Sequence, residues 1–210
     1  MLRLDKRIGP YAYLSAGLGI SGGNIERDLV AVRELAKEWG ANSAVPEAFL
    51  VNSRHRKNWA LKMLHEQSVL SGTPVEGGSA ALSGGKPTIA IWGLAYKADT
   101  KSTKNSPSLD LLKNLAPFTV RIYDPQAVLD KTAYPHATQT ASALEACRGA
   151  NALVVMTPWK EFSGASAASI RETLAGRVIL DPFGILDAGQ CRKLGLKYFT
   201  LGQASKGDGI

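Results

Sequence analysis

Two cysteines, Cys147 and Cys191, are all the thiols in 210 residues. They give neither a disulfide framework nor a metal-ligand spacing, so a reducing, cytoplasmic setting is expected and no metal is implied. Long apolar runs are missing as well. No stretch approaches the ~18 residues of a membrane helix, and Met-Leu-Arg-Leu-Asp-Lys-Arg at the start has no apolar core of the kind a signal peptide carries. A membrane partner is therefore not expected. Acidic residues are fewer than basic ones, 18 against 25, and the net charge of +7 favours anionic partners without choosing between nucleotides and nucleic acid. The basic run Arg54-His55-Arg56-Lys57 lacks interleaved aromatics and any nucleic-acid motif. Spread around a helix it reads as a solvated face, and nucleic acid is not an expected partner. Hydrophobic content of 45% and charged content of 20% are those of an ordinary globular protein, long enough for one good-sized domain or a domain plus a smaller unit.

Glycine is what the chain does have. Four glycines fall within Gly17-Leu18-Gly19-Ile20-Ser21-Gly22-Gly23, and Glu26 to Trp39 follows as an amphipathic helix with Leu29, Val32, Leu35, Ala36 and Trp39 on one face. A Gly-rich turn feeding a helix start presents free N–H groups to an anion. A plain helix start behind a Gly-rich loop fits the same spacing equally well. A second helix is expected from Pro46 to Gln67, with Phe49, Asn52, Arg56, Trp59 and Met63 at helical spacing. Ser68 to Lys86, rich in Ser and Gly, reads as a linker.

From Pro87 the pattern changes to short β runs alternating with helices. Strands are expected at Thr88–Trp92, Thr119–Tyr123, Ala152–Met156, Arg177–Leu180 and Lys197–Phe199. Helices are expected near Pro107–Leu115, Ala141–Cys147, Ala167–Leu174 and Asp187–Leu194. The fold class is α/β: a short helical unit (1–67), a linker (68–86), and a Rossmann-like parallel sheet with helices on both faces (87–210). Ligands of such sheets lie off the strand C-termini. The loop from Gly93 to Pro107 occupies such a place, and its lysines and hydroxyls suit phosphate, though a generic Lys/Thr-rich surface loop reads the same way.

Several stretches resemble the UDP-glucose/GDP-mannose dehydrogenase family. Arg7-Ile8-Gly9, Tyr13-Leu14, the glycine run and Asp28-Leu29 are similar to its central segment, whose pattern is Gly-Phe-Gly-Gly-Ser-Cys-Phe-Pro-Lys-Asp. Asn24 stands at the position of that pattern's nucleophilic Cys, Arg27 at its Lys and Asp28 at its Asp. The loop resembles Gly-Leu-(Ala/Ser)-(Phe/Tyr)-Lys-x-x-Thr-Asp-Asp-x-Arg-x-Ser-Pro through Gly93, Tyr96, Lys97, Thr100, Ser106 and Pro107, with Lys104 in place of Arg and with Lys101 and Ser102 in place of two acids. Tyr123-Asp124-Pro125, Met156 to Phe162 and Asp181-Pro182 are also similar, but Phe183 stands where the family usually has Arg.

The resemblance implies a nucleotide-sugar ligand, UDP- or GDP-linked. It implies substrate contacts from Arg7, Tyr13, Leu14, Gly19, Gly22, Gly23, Lys97 and Lys104, catalytic positions at Asn24 and Asp28, and cofactor contacts from Arg27 and Thr100. It further implies a homodimer formed through the helical unit. In the resembled enzymes NAD accepts two hydrides in turn, and the second oxidation runs through a thioester on the Cys. Asn24 has no such nucleophile, and Cys147 and Cys191 both fall in the sheet domain. The family's NAD-binding domain has no counterpart in these residues, so no cofactor is expected for this chain alone. The leading expectation is a truncated or divergent relative that binds nucleotide-sugars without oxidising them. One alternative is part of an active oxidoreductase whose NAD domain is supplied separately, and the other is a purely structural dimerisation module.

Overall fold

Thr88–Trp92 is a β-branched and aromatic run closed by Pro87 and Gly93, and it does not alternate because both of its faces are covered. It is the central strand β1 (Thr88–Trp92) of the computed structural model, which describes residues 2–12, 14, 16–71 and 86–202. Ile89, Ala90, Ile91 and Trp92 are fully buried. The other strands are β2 (Thr119–Tyr123), β3 (Ala137–Gln139), β4 (Ala152–Val155), β5 (Val178–Leu180) and β6 (Lys197–Phe199). Every pair is parallel, in the order β3-β2-β1-β4-β5-β6, with Ile89 opposite Val120 on one side and Ala152 on the other. The strand order reverses between β1 and β4, which is the switch point where open α/β sheets place ligands.

Among the described residues, α4 (Pro107–Asn114) joins β1 to β2, and α5 (Ala143–Cys147) leads into β4. The helices α6 (Ala167–Thr173) and α7 (Ala188–Lys193) join β4, β5 and β6. The chain steps one way from β1 to β2 and the other way from β4 to β5. Right-handed crossovers therefore put α4 on one face and α6 on the other. The expected α/β architecture is the observed one. Three described pieces of structure had no expectation: β3, whose Ala-Thr-Gln carries no apolar pattern, and 3-10 turns at Leu2–Leu4 and Lys160–Gly164.

The N-terminal part holds α1 (Ile25–Glu38), α2 (Ala44–Lys57) and α3 (Trp59–Glu66). The single helix expected over Pro46–Gln67 is thus two, separated at Asn58, where ψ flattens to −4°. Asn is a weak helix former and favours such junctions, while its N–H still reaches the Arg54 carbonyl at 3.2 Å. The expected apolar seam is also corrected. Leu50, Ser53, Lys57, Ala60 and Leu64 are buried, one position along from the face assigned by spacing, whereas Phe49, Asn52 and Arg56 are exposed. Leu18, Ala60 and Leu64 belong to the same core as the sheet, so α3 turns its inner face to the sheet domain. On α1 only Ala36 is buried. Val32, Leu35 and Trp39 stand open, Trp39 at 79% exposure. Residues 72–85 of the expected linker lie outside the described residues.

Candidate functional site

Gly93 ends β1 at φ +100°, and a Cβ there would lie 2.4 Å from that of Thr157, so only glycine fits. The next residues leave no backbone group unpaired. The carbonyls of Gly93, Leu94 and Ala95 accept hydroxyls from Ser108 at 2.7 Å, Ser106 at 2.8 Å and Thr157 at 2.6 Å. The Leu94 and Ala95 amides donate to Asp124 Oδ2 at 2.7 and 2.9 Å, and Trp159 Nε1 joins them at 3.1 Å. The other oxygen of Asp124 accepts the Gln126 and Ala127 amides. Asp181 repeats the device after β5, taking amides from Phe183, Gly184 and Leu186 and the Tyr198 hydroxyl. Burial and that carboxylate push the Tyr198 phenol well above its ordinary range.

Both Asp-Pro turns are therefore structural anchors. Thr157, Leu94 and Ala95 are all buried, and the Thr157–Ala95 hydrogen bond ties together the residues that follow β4 and β1, at the switch point of the sheet. What stays open is the outer part of the loop, from Tyr96 to Asn105.

The glycine run lies against that outer part. Gly19, at φ +90°, packs so closely on α2 that a Cβ would sit 2.6 Å from the Ser53 carbonyl oxygen. The Ile20 amide donates to Ser53 Oγ at 2.9 Å, and the Ser21 hydroxyl donates to the Tyr96 carbonyl at 3.2 Å. Gly22, at φ +77°, faces the Tyr96 ring, and Gly23 lies beside the Lys104 side chain. Asn105 Nδ2 donates to the Gly22 carbonyl at 3.1 Å. Two stretches some 75 residues apart thus form one surface, bordered by Lys104 and by Lys97, whose ammonium is 5.7 Å from the Tyr96 ring centroid.

The structure gathers Gly19, Gly22, Gly23, Lys97 and Lys104. Thr100 lies within the same loop, its hydroxyl accepting the Ser102 amide at 3.1 Å. Asn24 caps α1 with an exposed side chain that makes no capping bond, and its carbonyl accepts the Asp28 amide at 2.9 Å. Asp28 is held by Arg27 at 2.9 Å, both exposed. Arg7 is engaged instead by Asp5, whose carboxyl it holds below the usual range, and the Leu14 carbonyl accepts Arg3. Both contacts lie within the N-terminal segment. Tyr13 lies outside the described residues.

Both cysteines are buried; burial pushes the Cys147 thiol up to about 12 and raises that of Cys191. Neither is a poised nucleophile. Phe183 brings its ring edge to 4.0 Å from a Cβ placed on Gly17, so an aromatic contact to the approach of the glycine run stands at that turn.

Sequence reasoning missed Ser53, Lys57, Glu26 and Asn105. Arg54, His55 and Arg56 are exposed, as a solvated face requires, but Lys57 is buried against Glu26 at 3.2 Å. The available signal was the row Leu50, Ser53, Lys57, Ala60 and Leu64, in which two polar residues share an apolar face.

Residues 90–188 match the family model described as "UDP-glucose/GDP-mannose dehydrogenase family, UDP binding domain". Residues 90–188 belong to this dehydrogenase family. The UDP-glucose 6-dehydrogenase of Rickettsia bellii is 28% identical over 95% of this chain and 44% of its own length. That of Pseudomonas aeruginosa is 29% identical over 97% of this chain and 44% of its own. The chain therefore spans less than half the length of these curated relatives. In fold it is similar to a UDP-glucose dehydrogenase from Pyrobaculum islandicum (TM-score 0.68, 22% identity, 91% of this chain and 40% of that one). It is also similar to an NDP-N-acetyl-D-galactosaminuronic acid dehydrogenase from Methanosarcina mazei (TM-score 0.71, 19% identity, 91% and 40%).

Proposed function

We propose that this chain binds a nucleotide-sugar, UDP- or GDP-linked, on the surface shared by the glycine run and the 96–105 loop. Lys97 is the main charged contact and Lys104 its basic neighbour. The observation that carries the reading is the convergence of these two stretches, on a domain whose family is described as UDP-binding. Two lysines and the α1 N-terminus, whose Asn24 makes no side-chain capping bond, suit phosphate oxygens. Asn24 can hydrogen-bond a sugar but cannot form a thioester, so the chain by itself binds without oxidising.

The organisation that goes with this reading is a helical unit (1–67) and a nucleotide-sugar domain (87–210) joined by 68–86. Two copies pair through the exposed apolar residues of α1 and α2 in a cytoplasmic homodimer. A second reading, one part of an NAD-dependent oxidoreductase, is favoured by the 44% share of the relatives that the chain spans.

Calorimetric titration with UDP, GDP and UDP-glucose tests the binding. A charge-assisted contact contributes about 1.5–3 kcal/mol, so Lys97→Ala should weaken affinity roughly ten- to a hundredfold. Lys101→Ala should matter less. No heat with the wild-type chain at millimolar ligand contradicts the reading.

A further inference from the structure

Lys57, Glu26 and Asn105 meet where the helical segment joins the sheet domain, and ligand binding accounts for none of them. The Lys57 side chain is 7% exposed, with Nζ 2.6 Å from Asn105 Oδ1 and 3.2 Å from the Glu26 carboxylate. Asn105 Nδ2 donates to the Gly22 carbonyl at 3.1 Å and to Glu26. Both ends of one amide are thus used, one toward α2 and the other toward the glycine run and α1. The Asn105 backbone sits at φ +52°, a left-handed conformation that Asn tolerates better than most residues. One turn earlier on α2, Ser53 holds the Ile20 amide from the other side. The glycine run is therefore gripped twice from α2, directly through Ser53 and indirectly through Lys57 and the tip of the loop.

We propose that Lys57, Glu26 and Asn105 form a positioning joint that couples the 96–105 loop to the glycine run, so that ordering either one orders the other. Lys57, buried to 7% exposure, supplies the cation that faces the partly exposed Glu26 carboxylate (34%) and the Asn105 carbonyl oxygen, so removing it leaves that carboxylate beside Asn105 without a counter-charge. The Asn105 amide is bonded to all three parts, namely the run, α1 and α2. Coupling between sites is reciprocal. A nucleoside diphosphate on the loop would therefore be felt at the N-terminus of α1, where Asn24 sits. That last consequence rests on the proposed binding; the joint does not.

The test is amide hydrogen exchange of the full unliganded chain, paired with UDP titration, in Lys57→Met and Asn105→Gly. Methionine keeps the apolar stem and removes the charge. Glycine keeps the positive φ and removes only the amide. Each variant should speed exchange about tenfold or more in 19–28 and in 96–105 together, with β1 and β4 still at wild-type rates as the internal check on folding. Adding Glu26→Gln to Lys57→Met removes the uncompensated carboxylate and should restore part of the protection. UDP affinity should fall roughly tenfold in both single variants although neither residue is a proposed ligand contact. If wild type binds no UDP but both segments still loosen together, the binding reading fails and the joint stands. Exchange that rises in only one segment, or in neither, overturns the joint. UDP affinity within twofold of wild type in both variants overturns the coupling.

Discussion

Replacing Asp124 by alanine should be among the most damaging single changes in the sheet domain, and its cost can be worked from the structure. The carboxylate is 5% exposed and accepts five hydrogen bonds, four of them from the buried donors Leu94 N, Ala95 N, Ala127 N and Trp159 Nε1. A buried donor left without an acceptor costs about 1–3 kcal/mol. Four of them at the low end give about 4 kcal/mol, within the range for breaking a buried polar network. For a chain of this size each kcal/mol moves Tm by about 2–4 °C, so Asp124→Ala should melt roughly 8–16 °C lower.

Asp124→Asn is the sharper comparison. It preserves shape, but its NH2 must face either the two donors now served by Oδ1 or the three served by Oδ2, so about 2 kcal/mol should still be lost. Urea unfolding followed by circular dichroism reads both changes. If Asp124→Ala unfolds within ~0.5 kcal/mol of wild type, the usual scatter of surface changes, the anchoring role of this carboxylate is wrong.

Val32 and Leu35 on α1, Trp39 just past its end, and Val45 and Phe49 on α2 are exposed, so sedimentation at micromolar concentration should give a dimer that Trp39→Glu dissociates. A clean wild-type monomer contradicts that. The Cys147 thiol, pushed up by burial from 9.0 to about 12, holds its proton longer in the folded state than in the unfolded one. Its stabilisation is therefore full below pH 9.0 and is lost as pH rises toward about 12, at about 1.4 kcal/mol per pH unit. Cys147→Ala should flatten that alkaline fall in urea titrations, and an unchanged slope would show that the thiol does not titrate this way.

Much of the sheet domain was legible because its strands are short apolar runs between turn residues, and a strand buried on both faces leaves few other readings. Thr88–Trp92 and Ala152–Val155 show this directly. The glycine run and the Lys97 loop were legible as separate stretches. That they touch was not, because the contact is made by Ser53 and Asn105, polar residues whose partners are 33 and 83 positions away. Lys57 was hidden for a related reason: within a basic run it is the member that turns inward, and only the phase of α2 reveals it. That phase was misread by one residue because Phe49, Trp59 and Met63 outweigh Ser53 and Lys57 in any apolar count. β3 was invisible because hydrogen bonds to β2 define it rather than side chains.

Titration of the isotope-labelled chain with UDP, followed by amide chemical shifts, tests the shared surface most directly. The account predicts saturable shifts that cluster in 96–105 and in 19–28, collapse together in Lys97→Ala, and leave the buried Thr157 and Trp159 that follow β4 unmoved. Shifts centred on the β1–β4 crevice, or no shifts at millimolar UDP, would contradict it.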